Sequence, residues 1–226
     1  MKRRKKTDLK ILVSAMIVSG LLFGAGVFTG YVINMERFSS IEKNIRSVSR
    51  DVENFQLQFL FFDVLGENST CLLLTDTLSS IDRQSYDIGS RLTAYGAEAE
   101  IQDYNEFVGL KKEYSRLLIS YWLLANKLRE SCRINTSTII YFFSEDCARC
   151  DDQGFVLTYL KNKLKNRLLV FALDGEFEEP SVQTLKKYYN INSYPSLVID
   201  GKLYEGFIPE SGVREIVCKN IDCSDI

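Results

Sequence analysis

The chain has 226 residues, with 28 lysines and arginines against 30 aspartates and glutamates, a net charge of −2. That balance carries no basic footprint for nucleic acid, and 46% hydrophobic with 26% charged residues is ordinary for a folded protein of one or two domains. There is no histidine, which excludes Ser-His and Cys-His catalysis and any zinc site that needs imidazole, so proton transfer must use a carboxylate, a tyrosine, a lysine or water.

Residues 2–6 read Lys-Arg-Arg-Lys-Lys, and Lys10 adds a further positive charge. Residues 11–33 contain no charged side chain, a run long enough to span a bilayer core of about 30 Å at about 1.5 Å per residue. The run is longer than a signal-peptide core and no A-x-A-like site follows it. The spacing therefore predicts a basic cytoplasmic N-terminus at 1–10 and a single-pass signal-anchor helix at 11–33. Everything beyond about residue 34 is then extracytoplasmic. Gly20/Gly24 and Gly26/Gly30 have the small-xxx-small spacing that packs two anchors together, so a homodimer is one expectation.

The next segment, 36–132, reads as a helical bundle. Phe38, Ile41, Ile45, Val48, Val52, Phe55, Phe59 and Phe62 alternate spacings of three and four, a heptad seam. Gly66-Glu67-Asn68 interrupts it. A second seam runs through Cys71, Leu74, Leu78, Ile81, Ser85, Ile88, Leu92 and Tyr95 to Gly96. A third helix is expected from about 99 to 131, with Tyr104, Phe107, Tyr114, Leu117, Leu118, Tyr121, Leu124 and Leu128 on its apolar side. Long helices with short connections pack antiparallel. Cys71 then begins the second helix where Cys132 ends the third, and the pair is expected to form a disulfide, as an extracytoplasmic chain permits.

From 137 to 226 the pattern changes. It predicts strand 138–143, helix 148–165, strand 168–173, helix 179–189, strands 196–199 and 203–207, and helix 210–219. Cys147-Ala148-Arg149-Cys150 lies at the first strand-to-helix turn, and Tyr194-Pro195 precedes the third strand. A C-x-x-C pair at such a turn forms and breaks a disulfide with little backbone movement, and the helix N-terminus favours the thiolate of its first cysteine. These residues resemble the thioredoxin superfamily over about 137–218. The resemblance implies an α/β thioredoxin-like fold, with Cys147 as attacking thiolate and Cys150 as the resolving cysteine. It places Pro195 where the family has a cis-proline, and Tyr194 where backbone groups meet the substrate chain. No bound organic cofactor is implied.

This chain departs from the family pattern. Asp146 stands where thioredoxins have tryptophan, and Ala148-Arg149 fill the middle. Tyr141 occupies the place of a buried acid that receives the second cysteine's proton. Glu145 or Asp146 would have to substitute, or remain solvated loop charges. Arg149 favours a thiolate at Cys147, whereas Glu145 and Asp146 oppose it. Cys218 and Cys223 are expected to join in a structural disulfide, with a second exchange pair or free thiols as the alternatives; a four-thiolate zinc site together with Cys147 and Cys150 fits their spacing poorly, so no metal is expected. The triplets Asn68-Ser69-Thr70 and Asn135-Thr136-Ser137 are glycosylation sequons in expected loops.

The sequence thus predicts an α+β chain: a membrane anchor, three coiled-coil-like helices, and a thioredoxin-like domain. Its expected activity is thiol–disulfide oxidoreduction of protein substrates, with oxidase, reductase and isomerase directions open. It requires a membrane redox partner, such as a quinone-linked oxidase or a transmembrane reductant carrier. The alternative is a non-catalytic membrane-anchored adaptor, in which the helices dimerise or dock a partner and the C-terminal domain only binds.

Overall fold

In the computed structural model, residues 9–65, 70–96 and 104–224 are described. Helix α1 covers Leu9–Leu65, α2 Thr70–Gly96 and α3 Tyr104–Cys132. After them come β1 (Ser137–Phe143), α4 (Cys150–Leu164), β2 (Leu168–Asp174), α5 (Pro180–Tyr188), β3 (Ser196–Ile199), β4 (Lys202–Glu205) and α6 (Glu210–Val217). The chain is α+β, mainly helical, with one four-stranded mixed sheet. Two compact units are present, 1–43 and 44–226.

In the first unit, α1 exposes its side chains throughout residues 11–33; Phe23 is 76% and Leu22 70% exposed. The stretch Ile11–Asn54 of α1 is long and apolar enough to cross a membrane, and its most apolar window is entirely unburied.

In the second unit, the heptad positions Ile45, Val48 and Val52 are buried. Phe55, Phe59 and Phe62 fall outside the described side chains, as do the Gly66-Glu67-Asn68 break and Ser69. Helices α2 and α3 form an antiparallel hairpin. Cys71 is bonded to Cys132, the Tyr121 hydroxyl donates to the Leu78 carbonyl at 3.3 Å, the Tyr114 hydroxyl donates to the Ser85 carbonyl at 2.8 Å, and Tyr95 packs on Phe107 with centroids 6.0 Å apart. Each step back along α2 meets a step forward along α3. Tyr104 does not join the apolar side: in the first turn of α3 it is 66% exposed.

The strand order is β2-β1-β3-β4. β1 and β2 are parallel, in register from Ser137↔Leu168 to Phe143↔Asp174; β3 is antiparallel to both β1 and β4. β-branched and aromatic residues fill β1, which is buried almost throughout because helices cover both faces. On one face Ile139, Tyr141, Leu197 and Ile199 meet Leu157, Leu160 and Leu164 of α4 and Val213 and Val217 of α6. On the other, the Tyr121 ring of α3 sits 5.0 Å from Phe171, centroid to centroid. The tight β3–β4 turn places Asp200 and Gly201 at positive φ, 47° and 86°, a conformation glycine tolerates freely.

Charged pairs fix the hairpin to the sheet. Lys161 of α4 meets Asp82 of α2 at 2.7 Å, and Lys111 of α3 meets Asp174 of β2 at 3.3 Å. Asp200 accepts from Arg129, from the Ser137 hydroxyl at 2.8 Å, from the Thr138 amide at 2.9 Å and from Asn220 at 2.7 Å. Arg116 of α3 grips Glu179, just before α5, through Nε at 2.9 Å and Nη2 at 3.1 Å. That hydrogen bonding holds the Glu179 carboxyl below its usual range against the opposing effect of burial. A lowered folded pKa contributes stability above the unfolded value and loses it as pH falls through the folded one. Arg116→Ala should therefore destabilise the protein by about 2 kcal/mol at neutral pH, because a buried carboxylate loses its cationic partner and keeps only hydrogen bonds from Ser181. The difference from wild type should shrink as pH falls below the ordinary glutamate range, which urea unfolding at a series of pH values would read.

Candidate functional site

β1 ends at Phe143, and its pairing with β2 and β3 fixes where the following loop leaves the sheet. Ser144 to Arg149 cross from β1 to α4, whose first residue is Cys150. Cys147 and Cys150 are joined by a disulfide, with Cα atoms 5.4 Å apart. The two sulfurs differ in surroundings. Cys150 is 5% exposed within the core under α4, whereas Cys147 is partly exposed at its edge. The Cys150 amide donates to the Cys147 carbonyl at 3.3 Å, and the Tyr141 hydroxyl donates to the Cys150 carbonyl at 2.6 Å. Burial, with the nearby Asp151 charge, pushes the Tyr141 hydroxyl well above its usual pKa. It stays a neutral donor and is no base for a departing thiol proton.

The charged candidates sit outside this core. Arg149 is exposed but has two partners: its guanidinium carbon is 4.0 Å from the Phe207 ring centroid, and its Nε donates to Asp152 at 2.7 Å. Glu145 is 84% exposed on its side chain and 3.9 Å from Lys111. Asp146 is exposed. Asp151 and Asp152 occupy the first turn of α4, where carboxylates satisfy the positive end of the helix themselves.

Tyr194-Pro195 approaches from the other side of β1. The register pairs Phe142 with Ser196, so Pro195 lies at the end of β1 from which the cysteine loop departs. The Tyr194–Pro195 bond is cis, and the Pro195 carbonyl accepts from the Gly206 amide at 2.8 Å. The Tyr194 ring packs over Gly175, where no Cβ would fit, and Lys186 lies 5.2 Å from its centroid. Tyr194 and Cys147 both pack against the same core.

The sequence reading missed two residues here. Gln153 is fully buried one turn after Cys150, and its Oε1 accepts from the Ile208 amide at 2.8 Å. It fixes the 206–208 loop that supplies Phe207 to Arg149. Its sequence signal is only a polar residue in the buried stripe of α4. Phe207 carries no signal before the fold brings it across.

Cys71–Cys132 and Cys218–Cys223 are also disulfides, with Cα separations of 5.7 and 5.6 Å. All six sulfurs are thus engaged, and among the described residues no group of three or more acidic or cysteine side chains is placed to hold a metal ion. Asn135 is exposed, and its side-chain oxygen accepts from the Asp222 amide at 3.0 Å.

No family model and no curated protein matches this chain. Among solved structures, a malarial protein is similar over 38% of this chain and 98% of its own, at 18% identity and a TM-score of 0.34. Chloroplastic thioredoxin z is similar over 42% of this chain and 87% of its own, at 24% identity and a TM-score of 0.34.

Proposed function

We propose that the chain is a membrane-anchored, extracytoplasmic thiol–disulfide oxidoreductase that exchanges disulfides with protein substrates through Cys147 and Cys150. The observation that carries this reading is the Cys147–Cys150 disulfide at the β1–α4 turn, one sulfur partly exposed and the other buried, with Tyr194-Pro195 at the same end of the sheet. The βαβαββα order around it fits a thioredoxin-like domain. The basic N-terminus, the apolar 11–33 stretch and three disulfides support an anchor with the rest of the chain in an oxidising compartment.

In the reducing direction, the Cys147 thiolate attacks a substrate disulfide. One substrate sulfur leaves as a thiolate and a mixed disulfide forms. Cys150 then gives its thiol proton to water, attacks the Cys147 sulfur and releases the second substrate thiolate, which takes up a proton from solvent. Two electrons pass to the substrate and the chain is left oxidised. A membrane redox partner must return them, because a dithiol alone turns over once. The oxidising direction is the reverse.

The charges favour the reducing side. A dithiol becomes a strong oxidant when its reduced thiolate form is stabilised. Here Glu145 and Asp146 precede Cys147, Asp151 and Asp152 follow Cys150, and Arg149 is engaged by Asp152 and Phe207. The thiolate gains little, so the disulfide is relatively favoured.

The test is the reduction potential of the full-length chain in detergent micelles, equilibrated against thiol buffers and read at Cys147 and Cys150 by alkylation and peptide mass spectrometry. A value close to −270 mV, as for reducing thioredoxins, is expected. A value close to −120 mV would keep the exchange chemistry and reverse its direction. A pair still oxidised below about −300 mV would be structural and would overturn the proposal.

A further inference from the structure

The second unit contains a groove of about 610 Å³ between α2, α3, α4 and the outer edge of β2, a size in the range of ligand sites. Small residues keep it open. Gly154 of α4 faces empty space, and Ala172 of β2 is exposed. Gly89 of α2 leaves room for the Tyr114 hydroxyl, which a Cβ there would strike. Ser85 lines the groove, is 3% exposed, and its hydroxyl has no hydrogen-bond partner among the described residues. A buried hydroxyl without a partner is costly.

The edge of β2 has a second unmet requirement. The Gly175 amide donates to the Phe143 carbonyl. In a parallel pair the N–H and C=O of one residue face the same neighbour, and alternate residues face opposite ways. Leu169, Phe171 and Leu173 therefore bond to β1, while Val170 and Ala172 turn both backbone groups outward. β2 is the sheet's edge strand, and both residues line the groove. Unpaired edge groups are a template for another strand.

We propose that this groove holds an extended, uncharged, apolar segment of the client polypeptide, which pairs with Val170 and Ala172 as a further strand of the sheet. A purely apolar small molecule would leave those donors and acceptors dry. A peptide supplies matching groups at every second residue, can place an apolar side chain over Ala172 and Gly154, and can reach the Ser85 hydroxyl. A segment without charge is favoured because both lining lysines are already engaged, Lys161 with Asp82, and Lys111 with Asp174 and, at 3.9 Å, with the exposed Glu145. An exposed aromatic residue, Tyr86, also lines the groove. The client is assigned as the occupant because one end of the groove adjoins the disulfide. Tyr141, which bonds the Cys150 carbonyl, and Glu145, two residues before Cys147, both line it. The identity of the occupant thus rests on the oxidoreductase reading; the strand pairing does not.

The test uses the full-length chain in detergent micelles and a blocked, cysteine-free, dye-labelled peptide of alternating valine and threonine, about six residues long. Binding is read by fluorescence anisotropy and by amide hydrogen exchange. Saturable binding is expected, with slowed exchange at Val170 and Ala172 and none for the same peptide with prolines at alternate positions. Ala172→Pro removes an outward N–H while leaving the ladder to β1, and Gly154→Leu fills the groove. Each should raise Kd about tenfold or more, with the potential of Cys147–Cys150 unchanged. If binding is equal in wild type and Gly154→Leu, or exchange at Val170 and Ala172 does not slow, the proposal falls. It also falls if N-phenyl-1-naphthylamine saturates the groove and the peptide does not displace it, which would assign a small apolar ligand. Because the peptide has no sulfur, its failure leaves the redox reading standing, and failure of the potential measurement leaves the strand pairing standing.

Discussion

Cys147→Ser should reduce disulfide exchange with a protein substrate by at least about 10³-fold, because removing a nucleophile costs several orders of magnitude in rate. Cys150→Ser should instead accumulate a covalent complex. The asymmetry follows from position. Cys147 sits at the edge of the core and is partly exposed, whereas Cys150 is buried as the first residue of α4. An incoming disulfide can reach only the first sulfur. With Cys150 replaced, the mixed disulfide at Cys147 has no internal thiol to resolve it and persists until external thiol arrives. The assay is turnover of a reduced or oxidised client by the full-length chain, with non-reducing gels to capture the trapped species. Exchange that survives Cys147→Ser, or equal trapping by both variants, would remove the assigned order of attack. If partner binding persists and no exchange occurs in wild type, the chain is an adaptor.

The order of elements after residue 137 was legible because local signals agree there. β-branched and aromatic runs mark β1 and β3, Pro180 and Pro209 stand at the starts of α5 and α6, and Gly201 permits the β3–β4 turn. The seams of α2 and α3 were legible for the same reason: the heptad period names which side chains are buried. It does not say by what. Tyr121 reads as a seam residue, yet it packs on Phe171 of β2 while its hydroxyl reaches Leu78 of α2. α3 therefore serves two neighbours at once, and periodicity alone cannot reveal the second. Tyr104 shows the opposite limit, a residue in phase with the apolar side that lies too near the helix start to be covered.

At the candidate site, spacing located Cys147, Cys150 and Tyr194-Pro195, because chemistry at a turn depends on near neighbours in sequence. The partners of Arg149 were not legible. Sequence sets Arg149 two residues from Cys147 and suggests a direct effect on the thiolate. The fold brings Phe207 and Asp152 to the guanidinium instead, through a loop fixed by Gln153. Such contacts depend on where α6 begins and how the 206–208 segment crosses α4, and no local pattern encodes that. The groove along β2 was invisible for a related reason: it exists only because hairpin and sheet meet without filling the space between Gly89, Gly154 and Ala172.

Replacing Cys71 and Cys132 together by alanine should destabilise the fold by about 4 kcal/mol, whereas the same change at Cys218 and Cys223 should cost about 2 kcal/mol. The difference comes from the unfolded chain. The first pair closes a loop of sequence separation 61 and the second of 5, and the entropy withheld from the unfolded ensemble rises with the logarithm of loop length. The longer closure also acts where the fold needs it. It ties the start of α2 to the end of α3, and the last turn of α3 carries Arg129 to Asp200, which in turn holds Ser137 and Thr138 at the start of β1. Fraying that end loosens both the hairpin and the start of β1. Thermal unfolding in detergent micelles should show a fall in Tm of about 10 °C for the first double variant and roughly half that for the second. Equal losses would refute the loop-entropy account and place the stabilisation in native contacts around the sulfurs. In neither variant should the Cys147–Cys150 potential move, since both disulfides lie apart from the β1–α4 turn: one joins the far end of α3 to α2, and the other closes the C-terminal turn after α6.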